Sequence, residues 1–251
     1  MWNDRQAIEI FHLLFLRALG ARVDPAHTVL KGGCNLRFFC KSIRYSEDID
    51  LDARTVAVPT LRKNVDGILS APAFDRTLRA QQLELVESSA PKQTATVQRW
   101  KLRLRVAGTA QTIPTKIEFS RRRFDAELAH EPVDAELIRR YRLYPVIVQH
   151  YTTTAAFRQK IEALALRKET QARDLFDLKL LLDAGAATPV DAATRKLVAA
   201  AIENAMGINY DDYVGQVIAY LEPEHQAFYR TRKAWDAMQT EVVAALEALQ
   251  A

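Results

Sequence analysis

Residues 29–52, which read VLKGGCNLRFFCKSIRYSEDIDLD, constrain the fold more than any other segment of the chain. A short apolar run leads to a pair of glycines, then to a short amphipathic segment, and then to acids at alternate positions of an apolar strand. Alternate residues of a strand point to the same face, so Asp48 and Asp50 are expected to lie side by side. Two carboxylates at that spacing repel each other unless a hard cation such as Mg²⁺ lies between them.

The glycine pair supplies the second half of the pattern. Gly32 and Gly33 let backbone N–H groups approach an anion such as a phosphate. Nucleotidyl transfer requires both features: backbone N–H groups that donate hydrogen bonds to phosphate, and paired carboxylates that bind a metal ion. A third acid on a neighbouring strand would complete such a metal site, and the strand pattern TIPTKIEFS at 112–120 offers Glu118. Taken alone, Glu118 is an ordinary strand surface residue, and its weight comes from combination with the two aspartates.

Composition and missing motifs exclude several classes of protein. The chain has 251 residues, of which 49% are hydrophobic and 26% charged, as in ordinary soluble globular proteins. No apolar run is long enough to span a membrane, and the amphipathic N-terminus is not typical of a signal peptide. Cys34 and Cys40 form no disulfide framework, which favours a reducing cytoplasm. The absence of zinc-ligand spacings, a Gly-x-Ser-x-Gly elbow and a P-loop argues against zinc enzymes, serine hydrolases and P-loop NTPases.

Hydrophobic periodicity divides the chain into two halves. Helical spacing over 4–20 is followed by strand-like alternation at 83–88, 97–107 and 113–119. From about residue 151 onwards the sequence has helical period and abundant alanine. We therefore predict an α/β half at about 1–148 and a helical half at about 149–251, with a cleft between them.

The helical half contains a second group of charged residues. Lys160 is near apolar residues of a predicted helix, where it either reaches a triphosphate or snorkels to the surface. Asp174 and Asp177 are three residues apart and share a helix face, and Arg173 precedes them. The alternative is that Asp174 caps the helix N-terminus and Asp177 pairs with a nearby arginine.

Positive charge is clustered along the chain, whose formal charge is +4 and whose pI is about 9.1. Arginines occupy 121–123, and basic residues alternate over 99–105. Such clusters attract a polyanion such as RNA, or they are solvated faces.

Taken together, three blocks resemble the AbiEii/MenT-type nucleotidyltransferases, the toxin halves of bacterial toxin–antitoxin pairs. The first block is the glycine and aspartate segment, the second is the KIEFS strand, and the third is QKIEALALRKETQARDLFDLKLLL. The matching positions are Lys31, Gly32, Gly33, Cys34, Leu36, Arg37, Arg44, Ser46, Asp48, Asp50, Glu118, Lys160, Arg167, Arg173, Asp174 and Asp177.

The resemblance implies an α+β fold, with a polymerase-beta-like core of mixed sheet and flanking helices followed by an α-helical domain. It implies that a nucleoside monophosphate passes from an NTP to a hydroxyl, with the 3′ end of tRNA among the acceptors and an antitoxin protein as partner. Mg²⁺ or Mn²⁺ would be held by Asp48, Asp50 and Glu118. Lys160 would neutralise the pyrophosphate, and Asp174 or Asp177 would orient that lysine or the acceptor.

The same resemblance implies a nucleotide-binding set. Its members are Lys31, Gly32, Gly33, Cys34, Arg37, Ser46 and Arg173. One departure is that Cys34 stands where many relatives carry serine or threonine, and a thiol is a weak donor. Two alternatives remain open: transfer to a small-molecule hydroxyl, and a catalytically silent nucleotide- or RNA-binding protein.

Overall fold

The computed structural model describes residues 1–121, 126–186 and 190–250, which form two compact units. The sheet unit consists of Met1–Phe39 and Ser46–Tyr151, and the helical unit consists of Cys40–Tyr45 and Thr152–Ala251. The division at Tyr151 lies close to the predicted boundary at 148. The assignment of Cys40–Tyr45 to the helical unit has no counterpart in the sequence prediction.

The sheet unit is built on one mixed seven-stranded sheet. Its strands are β1 (Thr28–Lys31), β2 (Asp48–Ala53), β3 (Leu83–Gln93), β4 (Val97–Val106), β5 (Ile113–Ser120), β6 (Leu128–Pro132) and β7 (Ile147–Tyr151). Their order is β3-β4-β5-β2-β1-β7-β6. β2 runs parallel to β5 and β1 parallel to β7, and the remaining neighbours are antiparallel.

Five helices accompany this sheet in the chain. They are α1 (Asp4–Gly20), α2 (Gly32–Phe39), α3 (Val58–Leu69), α4 (Pro72–Ala80) and α5 (Ala135–Arg140), with a 3₁₀ helix at Pro25–His27. A capping box between Asn3 and Gln6 starts α1, which satisfies N–H groups that the helix leaves without partners. Most apolar residues of α1 are buried in the core, and Phe11 and Phe15 are buried completely.

Strand β4 shows how the sheet separates core from charge. Its inward residues Trp100, Leu102 and Leu104 are buried, and Trp100 meets Phe119 of β5 edge to face at 5.9 Å. The basic residues at 99, 101, 103 and 105 alternate with them and therefore lie on the opposite face. The predicted strands at 83–88, 97–107 and 113–119 correspond to β3, β4 and β5. The short strands β6 and β7 were not predicted, because few of their positions are both apolar and alternating.

The helical unit consists of helices α6 (Thr153–Leu166), α7 (Ala172–Asp183), α8 (Ala192–Arg195), α9 (Val198–Gly207), α10 (Tyr210–Gln216), α11 (Pro223–Tyr229) and α12 (Arg232–Ala248), with a 3₁₀ helix at Ile218–Tyr220. Phe157, Leu178 and Trp235 are buried in it. The ring of Trp235 stacks on Tyr213 with 4.7 Å between centroids. No helix that the structure describes combines the length and the apolar content needed to cross a bilayer.

Backbone pairing explains why the short segment Cys40–Tyr45 belongs to the helical unit. The N–H of Tyr45 donates to the carbonyl of Tyr220 at 2.8 Å, and the N–H of Glu222 donates to the carbonyl of Ile43 at 2.9 Å. Between them, Arg44 pairs with Leu221 in an isolated antiparallel bridge. Six residues from early in the chain are thereby tied to its last third.

Candidate active site

Strand pairing aligns four charged residues in a row across the outer face of the sheet. Lys31 of β1 lies opposite Asp50 of β2, Asp50 lies opposite Glu118 of β5, and Glu118 lies opposite Arg99 of β4. Residues directly opposite each other in neighbouring strands share a face. The two acids at the centre of the row therefore repel each other, and the two basic residues flank them.

Asp48 and Glu118 are each neutralised by a neighbouring cation. Lys116 Nζ lies 2.7 Å from Asp48 Oδ2, and Arg99 Nε donates to Glu118 Oε2 at 2.6 Å. By contrast, no described residue donates a hydrogen bond to the carboxylate of Asp50 or forms an ion pair with it. Negative charge in this face is therefore concentrated on one acid.

The environment of Asp50 opposes its ionisation. Burial raises the pKa of Asp50 above its usual value, and Asp48 and Glu118 raise this pKa further. Lys31 and Lys116 partly offset the effect. Carboxylate oxygens are the ligands that hard divalent cations prefer, and such a cation would remove the repulsion. The donor set therefore fits a divalent metal ion.

Asp48, Asp50 and Glu118 are on adjacent strands, but their carboxylate oxygens do not all lie within 4.8 Å of one another. Among the described residues, the ligand atoms that all lie within 4.8 Å of one another belong instead to Glu222, Glu224 and His225 in the helical unit. The physical reason is that Asp48 and Glu118 are turned towards their own cations.

The glycine pair lies beside Asp50. Gly32 begins α2 directly after β1 and has φ +67°, a conformation that residues with a Cβ rarely adopt. A Cβ at this position would lie 3.2 Å from Asp50 Oδ2. The N-terminus of α2, which includes Gly33, thus starts in contact with the acid row, and such termini favour anions.

Lys31 is held in place by residues that the sequence reasoning did not identify as part of the site. Its Nζ donates to Ser120 Oγ at 2.6 Å and to Asp52. Asp52 is buried and also accepts from Tyr151 Oη at 2.7 Å. Asp52 and Ser120 could have been found from the sequence, since each lies two residues beyond a predicted site acid in a strand.

Polar side chains hold the start of β2 through hydrogen bonds to backbone carbonyls. Cys34 Sγ donates to the carbonyl of Asp48 at 3.3 Å, and Ser46 Oγ donates to the same carbonyl at 2.8 Å. Thr115 Oγ1 donates to the carbonyl of Glu47 at 2.7 Å and contacts His12 Nε2 at 3.0 Å. Burial lowers the pKa of His12 to about 3, so the ring is neutral.

The structure does not support nucleotide contacts by the side chains of Cys34 and Arg37, which the resemblance placed at the nucleotide. Cys34 is buried, and burial raises the pKa of its thiol, so its side chain supports Asp48 from inside. Arg37 is also buried, and its Nε donates to Glu9 Oε1 at 2.6 Å. Both side chains have partners in the interior, and we leave them out of the proposed site.

In the helical unit, Lys160 and its two acids form a buried ion cluster. Lys160 Nζ lies 2.8 Å from Asp174 Oδ1 and 2.6 Å from Asp177 Oδ2. Arg44 donates two bonds to Asp177, at 3.1 and 2.9 Å, and Arg167 Nε lies 2.7 Å from Asp174 Oδ2. Both aspartates have no exposed surface, and each carboxylate contacts two cations, of which Lys160 is shared.

The alternative interpretation of Asp174 and Asp177, a helix cap and an arginine partner, agrees with the structure for Asp177 only. Asp177 does pair with an arginine, but this is Arg44, which is 133 residues away. Asp174 does not cap α7, because the N-cap position is Gln171 and no side chain caps the helix. Arg173 is half-buried on the same helix.

The basic clusters differ in how much of their charge is free. Arg122 and Arg123 lie outside the described residues. Arg121 donates to the carbonyl of Val56 and to Gln98 Oε1, both at 2.6 Å. On β4, Arg103 and Arg105 have glutamate partners on β3, whereas Lys101 forms no ion pair with any residue that the structure describes.

Substituting Gly32 with alanine is expected to lower both stability and activity. The positive φ alone costs about 1–2 kcal/mol in a residue with a Cβ, and the new methyl would press on Asp50. Gly108→Ala is the matched control, because Gly108 has φ +82° and no atom within 4 Å of an added Cβ. Urea unfolding should show a similar loss for both variants, while nucleotidyl transfer should fall only in Gly32→Ala. Equal activity in the two variants would contradict the contact with Asp50.

Comparison with known proteins assigns the chain to a family. The model of the family described as "Nucleotidyl transferase AbiEii toxin, Type IV TA system" matches residues 14–250. No curated protein matches the chain.

Two solved structures from Helicobacter pylori share the fold. One is JHP933, at 16% identity and a TM-score of 0.58, covering 100% of this chain and 93% of that one. The other is described as a candidate nucleotidyltransferase, at 17% identity and a TM-score of 0.60, covering 100% of this chain and 96% of that one. The α+β fold with a helical C-terminal region is thereby confirmed. With the family match spanning nearly the whole sequence, the chain belongs to the AbiEii nucleotidyl transferase toxins of type IV toxin–antitoxin systems.

Proposed function

We propose that this nucleotidyltransferase moves a nucleoside monophosphate from an NTP to a hydroxyl of an RNA acceptor, and that it depends on a divalent metal ion. The observation that carries the proposal is Asp50, an acid without a cation partner among the described residues, set between Asp48 and Glu118. Asp48, Asp50 and Glu118 would hold Mg²⁺ or Mn²⁺. When bound, the ion supplies charge neutralisation and orientation of the reacting phosphate.

The residues on the β1 side of Asp50 are suited to the nucleotide. Lys31 adds a positive charge that Asp52 and Ser120 keep in position. The backbone of Gly32 and Gly33 offers N–H groups at the start of α2, where a phosphate is favoured. Ser46 acts through Asp48, because its hydroxyl fixes the backbone of that acid.

The proton of the acceptor hydroxyl needs a base. Glu118 is the proposed group, either as a metal ligand or as the proton acceptor, since it is opposite Asp50 in the strand register. Proton transfer by a positioned carboxylate is general base catalysis.

For the helical unit we keep the roles implied by the resemblance as proposals beside a structural one. Lys160 would neutralise pyrophosphate, Asp174 or Asp177 would orient that lysine or the acceptor, and Arg173 would contact the nucleotide. The ion pairs of Lys160 with Asp174 and Asp177 already give it a structural function, and kinetic measurements on folded Asp177→Ala separate the catalytic role of this cluster from the structural one.

The biological setting follows from the family. Type IV toxin membership implies an antitoxin partner. We propose that the enzyme acts in the cytoplasm, where NTPs and tRNA are available, and that adding nucleotides to the 3′ end of tRNA would stop translation.

The test is incubation with each α-labelled NTP in the presence of Mg²⁺, with either total tRNA or a panel of small hydroxyl compounds. Label on the tRNA 3′ end, together with pyrophosphate release, is the expected result. Label found only on small molecules would replace RNA by a small-molecule acceptor. Absence of transfer from every NTP to every acceptor, by protein shown to be folded, would refute the catalytic proposal.

A further inference from the structure

A second row of polar residues runs beside the acid row on the same face of the sheet. Asp48 of β2 is opposite Lys116 of β5, Lys116 is opposite Lys101 of β4, and Lys101 is opposite Ser89 of β3. Like charges directly opposite each other in antiparallel strands are destabilising. The Lys101–Lys116 pair therefore costs the fold free energy unless an anion lies over it.

The two lysines differ in how their charge is balanced. Lys116 is paired with Asp48 at 2.7 Å, and 36% of its side chain is exposed. An ammonium group has three N–H donors, so Lys116 retains donors for another acceptor. Lys101 is exposed and has no acid or hydrogen-bond partner among the described residues. Positive charge next to Asp48 is thus only half neutralised.

These lysines line a groove of about 450 Å³ beside the acids. Asp48, Thr115 and Ser89 are also in its wall, as are Arg103 and Glu87, which neutralise each other across β3 and β4. Glu47 is the remaining charged residue of the lining. The groove is large enough for a nucleotide unit, and pockets for small ligands begin at roughly 300 Å³.

We infer that Lys101 and Lys116 form a phosphate-binding pair that holds the backbone of a single-stranded nucleic-acid acceptor next to Asp48. This inference rests on the proposed nucleotidyl transfer and names where its second substrate binds. Phosphate contacts by lysine position a strand without reading its sequence. The groove would therefore fix the acceptor end and leave the choice of acceptor to other contacts.

Strand order favours the acceptor over the NTP as the source of the phosphate. β2, with Asp48 and Asp50, lies between β1 on one side and β5 and β4 on the other. Lys31 ends β1 and the glycine pair follows it, whereas Lys101 and Lys116 belong to β4 and β5. A transfer reaction needs its two substrates on either side of the reacting atoms. The β1 side suits the triphosphate, which leaves the β4–β5 side for the acceptor.

The test compares Lys101→Ala with wild type for binding a fluorescent single-stranded oligoribonucleotide without NTP. Loss of one phosphate contact should weaken binding by about 3- to 10-fold and reduce the slope of log K against log salt by about one. Lys101→Arg should restore binding, and Glu47→Gln should tighten it. The control is Lys63→Ala, since Lys63 is an exposed lysine of α3 outside the groove lining.

A second arm measures binding of each NTP to the same variants. Unchanged NTP affinity in Lys101→Ala supports the acceptor role, whereas an equal loss for NTP would assign the pair to the triphosphate and overturn the inference. Oligoribonucleotide binding that is unaffected in Lys101→Ala also overturns it, even if wild type transfers nucleotides normally. Failure of the proposed function looks different, because wild type would then transfer nothing while Lys101→Ala still lost oligoribonucleotide binding.

Discussion

Asp50→Asn is expected to abolish nucleotidyl transfer and, at the same time, to raise the unfolding temperature of the metal-free protein. The amide keeps the size of the side chain but removes the charge that Asp48 and Glu118 oppose. Without that charge a divalent cation loses its central ligand. We expect transfer to fall by at least about 10³-fold, which corresponds to roughly 4 kcal/mol of transition-state stabilisation.

The sign of the pH dependence follows from the raised pKa of Asp50. Because the folded protein holds this proton more tightly than the unfolded chain does, the associated stability is fully present below the unfolded pKa. It is lost as pH rises through the folded pKa. The metal-free wild-type protein should therefore lose stability as pH rises through the folded pKa of Asp50. Asp50→Asn should lack this pH-dependent loss.

Thermal unfolding with and without Mg²⁺ measures both effects. Mg²⁺ should raise the unfolding temperature of wild type through binding to the folded state, and should leave Asp50→Asn unchanged. Asp75→Asn is the control, because Asp75 is a half-exposed acid of α4 whose one ion-pair partner among the described residues is Arg79 of the same helix. Equal Mg²⁺ responses in wild type and Asp50→Asn would show that the metal binds elsewhere.

Asp177→Ala is expected to destabilise the helical unit by about 3–5 kcal/mol. The substitution would leave the buried guanidinium of Arg44 and the ammonium of Lys160 without this partner. Breaking a buried ion pair on one side leaves an uncompensated charge in the interior. Asp183→Ala is the matched control, since Asp183 ends the same helix as an exposed partner of Lys179 and should cost at most about 0.5 kcal/mol.

The pH dependence of this cluster has the opposite sign. Burial alone would raise the pKa of Asp177, but Arg44 and Lys160 outweigh it and lower the pKa below its usual value. The stability that this ionised carboxylate provides is present above the unfolded pKa and lost as pH falls through the folded pKa. Urea unfolding at neutral and acidic pH should therefore show wild type approaching Asp177→Ala in acid.

Kinetics on the same variant decide between the two roles of the cluster. If Asp177 only holds the helices together, kcat per folded molecule should be unchanged under conditions where the variant is folded. A fall in kcat by 10²-fold or more in folded protein would support the catalytic role. A loss of stability no greater than that of Asp183→Ala would contradict the structural account.

Local spacing predicted that Asp48 and Asp50 lie on one face, because strands have a period of two that can be read from the sequence. Glu118 joins them through the register of β5 with β2. The partners of these acids could not be predicted in the same way. Lys116 and Arg99 reach their acids through the order and register of neighbouring strands, which are properties of the folded sheet.

In the glycine segment, the sequence did not predict which side chains point towards the interior of the protein. Cys34 and Arg37 follow Gly32 at positions where family resemblance suggests phosphate contacts. Their side chains instead point inwards, because α2 turns this side towards Glu9 and the backbone of Asp48. In the helical unit, the pairing of Asp177 with Arg44 spans 133 residues, and helical periodicity carries no information about such a distant partner.

The tie between Cys40–Tyr45 and the last third of the chain has a consequence for biosynthesis. The ribosome synthesises residues 40–45 long before Asp177, Tyr220 and Leu221. The segment therefore cannot form its backbone pairing or the Arg44–Asp177 ion pair until the helical unit has been made. A fragment that starts at Thr152 would contain every helix from α6 to α12 but lack the guanidinium that Asp177 needs. Supplying a peptide with the sequence of 40–45 in trans should restore part of that fragment's stability, as in complementation of a split protein.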